Sequence, residues 1–490
     1  MRRNRLKVFL RLLPMFGSKF KNTRIPQLWV IPLSFAVLIG IGTVFFKLPF
    51  SLNPGETLSW TDSFFTATSA VCITGLSTIP VGDVFTFPAQ MMLLFLVQMG
   101  GIGIFTSSLI MVVVVGQRLS LADEQVIQAT IGKMKMVRPA DVFIYACFFI
   151  FFFETLGAIL YLLGLINLPG YESIANVPQS ELSATENVLF MVWDSVFHSV
   201  NAFCNSGFSL YPEGMLRMKN NPYFLLLLGV LVLIGSLGLM TMINLRYFYF
   251  WRRNPMLRGG LLLQTKVTIL MTVVTVLVGM IAFYSFELDG TLQSYDLTSQ
   301  KIVTSFFHSV NARSGGLNSV DLKDADPLTL CVLMGLMFIG GGSGSMAGGI
   351  KVTTFFVVLI AAWFVLRRRE DIQVFSRRIP SQLVHVALMI GFLYTLGMAL
   401  GTFCVIGFES GKNACSMTQG WLGIVFDCVS AFGTVGLSTG VTPALSSPSK
   451  LVLSIMMYVG RILTLTLAVY LLRPQEKSYV KYPEEQISLG

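Results

Sequence analysis

The hexapeptide "FHSVNA" occurs twice, at residues 197–202 and again at residues 307–312, each time beside a long apolar segment. Two of the chain's three histidines sit in these copies. Either one unit has been duplicated or two helix fragments agree by chance, and the flanks decide. Aligned on the alanine, four short segments read "FTATSA" (65–70), "FHSVNA" (197–202), "FHSVNA" (307–312) and "FDCVSA" (426–431). Phenylalanine stands five residues before the alanine in each, and Ser69, Asn201, Asn311 or Ser430 stands immediately before it. The chain then continues "VCITGLS", "FCNSGFS", "RSGGLNS" and "FGTVGLS", which puts Gly75, Gly207 and Gly436 at one offset and Gly316 one residue early. Repetition of this kind organises a fold.

A length of 490 residues suggests several soluble domains, but 54% hydrophobic and 12% charged residues describe a polytopic membrane protein instead. The formal charge of +10 is placed for a membrane rather than for nucleic acid. Basic residues collect before the first apolar span (Arg2, Arg3, Arg5, Lys7, Arg11, Lys19, Lys21, Arg24), then at Arg118, Lys133, Lys135 and Arg138, at Arg252, Arg253 and Arg258, at Arg367, Arg368, Arg369, Arg377 and Arg378, and at Arg473, Lys477 and Lys481. The intervening links carry Glu56, Glu172, Glu181, Glu186, Glu287, Asp289, Asp296, Asp321, Asp324 and Asp326. This positive-inside asymmetry places both termini in the cytoplasm. The first apolar stretch lacks a small-residue cleavage site, so it reads as a retained helix rather than a signal peptide. The seven cysteines form no CxxC pair, and neither a disulfide framework nor a zinc site is indicated.

Apolar spans cover residues 29–50, 88–115, 140–167, 222–250, 262–286, 327–366, 381–408 and 449–472, each long enough for the ~20 residues a crossing helix needs. The four aligned segments, about a dozen residues each, are too short to cross and must dip in and turn back. The expected fold is an all-α membrane protein of four tandem helix, re-entrant pore helix, helix repeats around one pseudo-fourfold pore. Its expected parts are a cytoplasmic segment 1–28, repeats at 29–115, 139–250, 262–366 and 380–472, and a cytoplasmic tail 473–490.

Non-helical backbone at membrane depth is tolerated only where protein shields it or where it lines a water-filled cavity. Four such loops meeting on one axis would present stacked rings of carbonyl oxygens that replace a monovalent cation's hydration shell. Glycine suits this task because it reaches positive φ without a Cβ penalty. The short helices add the negative ends of their dipoles. The same glycines would also serve as plain turn residues, though matched offsets in the repeats favour the cavity.

The segments "TATSAVCITGLS", "SVNAFCNSGFS", "HSVNARSGGLNS" and "VSAFGTVGLSTG" resemble the four selectivity-filter segments of the Trk/Ktr/HKT superfamily of potassium transporters, pore-forming subunits, and the resemblance runs over all eight spans. It implies a filter built from Val71, Cys72, Ile73, Thr74 and Gly75; Phe203, Cys204, Asn205, Ser206 and Gly207; Arg313, Ser314, Gly315 and Gly316; and Phe432, Gly433, Thr434, Val435 and Gly436. Potassium would lie against the backbone carbonyls of Thr74, Asn205, Ser314 and Thr434. Plant members with serine at the first filter glycine favour sodium, so Gly75 suggests potassium as the transported ion. The resemblance further implies a homodimer in the plasma membrane, in bacteria the inner membrane, no covalently bound cofactor, and a separate cytosolic nucleotide-binding regulatory ring docked on the basic inner loops.

The stretch "FIGGGSGSMAGGIKVTT", residues 338–354, contains the dinucleotide pattern GxGxxA, but an apolar run without βαβ context is no nucleotide site. Its small residues either break the sixth span or let helices pack closely. The superfamily carries an intramembrane gating loop here, which implies gating roles for Gly340, Gly341, Gly342, Ser343, Gly344, Ser345, Ala347, Gly348, Gly349 and Lys351. The chain departs from the usual Ser-Pro and Thr of that loop, with Gly342, Ser343 and Met346 instead. Arg461 lies inside the last span, where a charge is costly unless it faces a partner or water. It resembles the family arginine that opposes cation flow at the closed gate, and also fits a structural charge on the carbonyls of a broken helix. Lys351 reads as a residue of the cytoplasmic mouth or as a snorkelling interfacial lysine.

Other candidates are less specific. Glu154 is an isolated intramembrane acid, functional or simply hydrogen-bonded between helices. Asp62 and Asp194 fall at the expected starts of the first two re-entrant helices and suit capping of N–H groups, or attraction of cations. His198 and His308 sit mid-helix, suited to packing or a local hydrogen bond rather than a metal. The glycines of "QMGGIG" and "IGSLG" suit close helix approach. The rival functions are a sodium-permeable or cation-coupled symporter of the same fold, a secondary transporter with inverted repeats, which the parallel units oppose, and a membrane-embedded enzyme. The enzyme lacks a convergent site, and no Walker pattern is present.

Overall fold

The computed structural model describes residues 30–116, 139–168, 184–238, 241–246, 261–369, 371–410 and 420–471. The expected cytoplasmic segment 1–28 and tail 473–490 lie outside the described residues, as do Arg118, Lys133, Lys135, Arg138, Arg252, Arg253, Arg258, Glu172, Glu181 and Cys415.

Thirteen helices of twelve residues or more carry the described chain. They are α1 Val30–Phe46, α2 Trp60–Val71, α3 Phe87–Gly116, α4 Pro139–Ile166, α5 Ala184–Cys204, α6 Pro222–Leu237, α7 Leu263–Glu287, α8 Thr298–Ala312, α9 Pro327–Phe338, α10 Val352–Leu366, α11 Ser381–Glu409, α12 Gly420–Gly433 and α13 Ser447–Leu471. Local chemistry sets several of their starts. Ser59 Oγ accepts the Asp62 N–H of α2, and Asn221 and Asp326 cap α6 and α9 immediately ahead of a proline that needs no donor partner. Ile144–Ile166, Leu263–Glu287 and Ser381–Glu409 are each long and apolar enough to cross a bilayer, and shorter apolar helices stand at other expected spans. The protein is an all-α membrane protein.

Three parts of the sequence-based picture change. The dipping helices are unequal, α2 having 12 residues, α5 21, α8 15 and α12 14. Asp194 therefore lies well inside α5 instead of at its start, and it pairs with His198 rather than capping. The fourth span is not one helix, because α6 stops at Gly238, whose φ of 86° no ordinary helix accepts. The sixth span breaks, one of the two readings its small residues allow, into α9 and α10 separated by residues 339–351. A two-residue hairpin, β1 Gln373–Val374 against β2 Arg377–Arg378, joins the third and fourth units.

The expected external acid Glu287 is buried. Its Oε1 accepts the Asp326 N–H at 2.9 Å, and Glu409 Oε1 accepts the Ser446 N–H at the same distance. Thus the last residue of α7 and of α11 closes an orphan donor at the start of α9 and of α13, which ties the two spans of each of those units together.

Helix packing closes a ring. α3 packs on α5, α6 on α8, α9 on α12, and α13 on α2, so the helix that follows each loop lies against the dipping helix of the next unit and the fourth unit meets the first. At that seam Lys450 Nζ bonds Asp62 Oδ1 at 2.9 Å.

Candidate ion pathway

Each dipping helix ends in a turn written by its last residues. In units one, two and four the third residue after the alanine takes the left-handed conformation, with φ of 56° at Ile73, 60° at Asn205 and 47° at Thr434. The next N–H then reaches back five residues, Thr74 to Ser69 O at 2.8 Å, Ser206 to Asn201 O at 2.9 Å and Val435 to Ser430 O at 2.9 Å. This is the Schellman pattern of helix termination. The third loop omits the left-handed residue, and Gly315 N–H bonds Asn311 O at 2.7 Å. The early Gly316 thereby comes into register, with φ of 70° beside 90°, 74° and 100° at Gly75, Gly207 and Gly436.

The polar residue before the alanine is the anchor that the sequence marked without a role. Ser69 Oγ accepts Gly75 N–H and Ser430 Oγ accepts Gly436 N–H, both at 3.0 Å, while Asn311 Oδ1 accepts Leu317 N–H at 3.2 Å and Asn201 Oδ1 accepts the Ser206 hydroxyl. The recurrence of serine or asparagine at this position in all four units was the available signal. Four residues before the alanine, the side chain holds the far end of the loop. His198 Nε2 meets Ser209 Oγ at 3.0 Å, His308 Nε2 meets Ser319 Oγ at 3.2 Å, and Asp427 Oδ2 accepts from Ser438 Oγ at 2.8 Å. The repeated histidine is a loop clamp. His198 also pairs with Asp194 at 2.6 Å and stacks between Tyr161 and Tyr211.

The four glycines meet. A Cβ on Gly75 would lie 2.9 Å from Gly207 Cα, one on Gly207 2.9 Å from Gly316 Cα, one on Gly316 3.1 Å from Gly436 Cα, and one on Gly436 would strike Thr74 O. The circuit runs through the units in order and closes. Neither the space nor the positive φ admits a side chain there. The carbonyls facing the neighbouring glycine are those of Thr74, Ser206, Gly315 and Val435. The expected potassium layer of Thr74, Asn205, Ser314 and Thr434 therefore draws on two levels, because Asn205, Ser314 and Thr434 stand one position earlier than the residues matched to Thr74. Above them in the chain, Val71, Cys72, Phe203, Cys204 and Phe432 are buried. Glycines of the following helices, Gly100, Gly235 and Gly460, let those helices approach the carbonyls of Val71, Phe203 and Phe432.

Residues 339–351 lie against these loops and touch every unit. Gly340 N–H bonds Ile350 O at 2.9 Å and Val352 N–H bonds Gly341 O at 3.0 Å, which draws the two ends of the break together. Gly342 N–H bonds Ser236 O at 2.8 Å, and Gly238, just beyond it, faces Ser343 O. Met346 is buried, its methyl against Gly101 of α3. Gly348 presses on Gly433 O and Thr434 Oγ1, and its N–H bonds Ser314 Oγ at 3.1 Å. Lys351 Nζ turns back to Ala347 O at 2.6 Å. Arg461, 3% exposed, reaches Met346 O at 2.7 Å and Thr434 Oγ1 at 3.4 Å. Met346 was noted in the sequence only as a departure from a pattern, and its burial under the loops depends on a fold of the break that composition does not encode.

Glu154 is bonded by Gln98 Nε2 at 3.2 Å and lies 3.5 Å from Cys204 Sγ, tying α4 to α3 and to the second loop. Asp62 is stapled to Ser59 and Lys450. Among the described residues no group of three His, Cys, Asp or Glu side chains is placed to hold a metal ion.

Four parallel helical units, closed on themselves with glycine loops at the centre and a helix break beneath, make a membrane transport protein rather than an enzyme. The chain belongs to the TrkH family of cation transport proteins, whose description matches residues 35–481. It is similar to the Ktr system potassium uptake protein B of Vibrio alginolyticus, with 32% identity over 94% of this chain and 94% of that one. It is similar also to the potassium/sodium uptake protein NtpJ of Enterococcus hirae, with 29% identity over 96% and 99%. The crystal structure of the potassium transporter TrkH from Vibrio parahaemolyticus shares the fold, with a TM-score of 0.66, 18% identity, and coverage of 92% of this chain and 86% of that chain.

Proposed function

We propose that the chain takes up potassium across the plasma membrane through a filter of backbone carbonyls supplied by its four loops. The observation that carries this reading is the closed circuit of Gly75, Gly207, Gly316 and Gly436, a place where only main chain has room. A partly dehydrated cation enters from the acidic outer side, exchanges water for carbonyl oxygen, and is drawn inward by the membrane potential, worth about 2.3 kcal/mol per charge per 100 mV. The break at 339–351 and Arg461 form the gate. With Arg461 bridging Met346 O and Thr434 Oγ1, a fixed positive charge and a methionine stand in the inward path, and conduction requires both to move.

Three relatives are named as parts of Ktr systems, which supports a multi-component assembly. We assign this chain the membrane-embedded homodimeric part, with a cytosolic nucleotide-binding ring docked on its basic inner side. Sodium is the second cation to consider, since the Enterococcus relative carries both ions in its name.

Tracer influx into proteoliposomes tests the filter. Gly75→Ser, Gly207→Ser, Gly316→Ser and Gly436→Ser are compared with wild type for rubidium and sodium, and at least Gly75→Ser loses the preference for the larger ion. Unchanged preference in all four would refute the filter assignment.

A further inference from the structure

The first two side chains of the third loop leave that loop and enter the broken sixth span. Arg313 is 1% exposed, and its Nη2 donates to Gly340 O at 3.2 Å, with Thr272 Oγ1 of α7 at 3.5 Å. Ser314 Oγ accepts the Gly348 N–H at 3.1 Å. Adjacent residues of one loop thus hold both ends of the break. Among the hydrogen bonds of the described residues, no other loop sends its own residues to the break, and the fourth is reached only through Arg461.

The third loop is also the one that lacks the left-handed turn residue of the other three. Displacing the break strips a buried guanidinium of its carbonyl and a buried hydroxyl of its donor. Buried charge does not remain unpaired cheaply, so the third loop must follow the break. Its Gly315 O faces Gly207, and any such movement reaches the glycine circuit directly.

We propose that Arg313 and Ser314 are positioning residues that lock the third loop to the closed break, so that opening the break relaxes this loop and weakens discrimination between potassium and sodium. The proposal rests on the filter-and-gate reading above. It makes selectivity depend on gate state, which neither a rigid filter nor an independent plug would do.

Rubidium and sodium tracer influx into proteoliposomes holding the full chain tests it with four variants. Ser314→Ala raises influx about fivefold, the factor that one lost hydrogen bond represents, and lowers the rubidium-to-sodium ratio. Ser314→Thr, which keeps the hydroxyl, recovers the ratio relative to alanine. Met346→Ala opens the break from the side of α3 without touching the third loop, and it too raises influx and lowers the ratio. Higher influx at an unchanged ratio in Ser314→Ala and Met346→Ala overturns the coupling, as does no change in either quantity. Gly75→Ser separates the two readings. A collapsed ratio there, with an unchanged ratio in the other variants, removes only the coupling, whereas an unchanged ratio in all four glycine-to-serine variants removes the filter beneath it.

Discussion

At the scale of single residues, the chain's polar side chains in apolar surroundings act as fasteners. Ser69, Asn201, Asn311 and Ser430 hold the near end of each loop, while His198, His308 and Asp427 hold the far end of three of them. The sequence displayed both positions through repetition, yet it left their function open because either residue type also packs well in a helix. Asp62 offers a test at this scale. Burial works to raise its carboxyl, but hydrogen bonds from Ser59 and Lys450 and the Lys450 charge outweigh it and hold the group below its ordinary value. A carboxyl lowered in the folded state contributes stability fully above the unfolded value of about 3.9 and loses it as pH falls through the folded one. Thermal unfolding in detergent should therefore show wild type ahead of Asp62→Asn near about pH 5, with the gap shrinking toward about pH 3. A gap independent of pH would remove the charge-based account of this seam.

At the scale of elements, hydropathy located the spans but not their interruptions. The run 327–366 is apolar throughout its helices, and its glycines alone fit either a break or a tight helix contact. The break forms because Gly340 and Val352 find main-chain partners at Ile350 and Gly341, and Gly342 finds Ser236. Those bonds replace the helical ones that residues 339–351 give up. The hairpin at 373–378 was unreadable for a similar reason: its turn places Phe375 and Ser376 at φ of 49° and 59°, where Asn-Gly would have been the legible signal. Element packing also yields a prediction. A Cβ at position 348 would overlap Gly433 O and Thr434 Oγ1, so Gly348→Ala pushes the break off the fourth loop and raises resting cation influx several-fold. Influx equal to wild type would mean that this contact does not close the path.

At the scale of the whole molecule, the ring is closed twice, by helices packing in the order α3 on α5, α6 on α8, α9 on α12 and α13 on α2, and by the glycine circuit inside them. The proposed potassium site draws on all four units and exists only in the folded chain, so a bound ion would stabilise the fold by mass action, about 2.7 kcal/mol at a hundredfold excess over Kd. Potassium should raise the unfolding midpoint relative to choline at equal ionic strength, and Gly436→Ser should abolish the difference. An equal midpoint in both salts for wild type would argue against a preformed site. The sequence by itself determined the membrane class, the four-unit repeat, the glycine at each turn and the family resemblance, because hydropathy and spacing are local properties that survive without coordinates. Only the tertiary structure decided which carbonyls share a level, that Met346 and Arg461 stand beneath them, and that Arg313 and Ser314 grip the break. These depend on contacts between residues far apart in the chain, whose geometry follows from ring closure and leaves no periodic mark in the sequence.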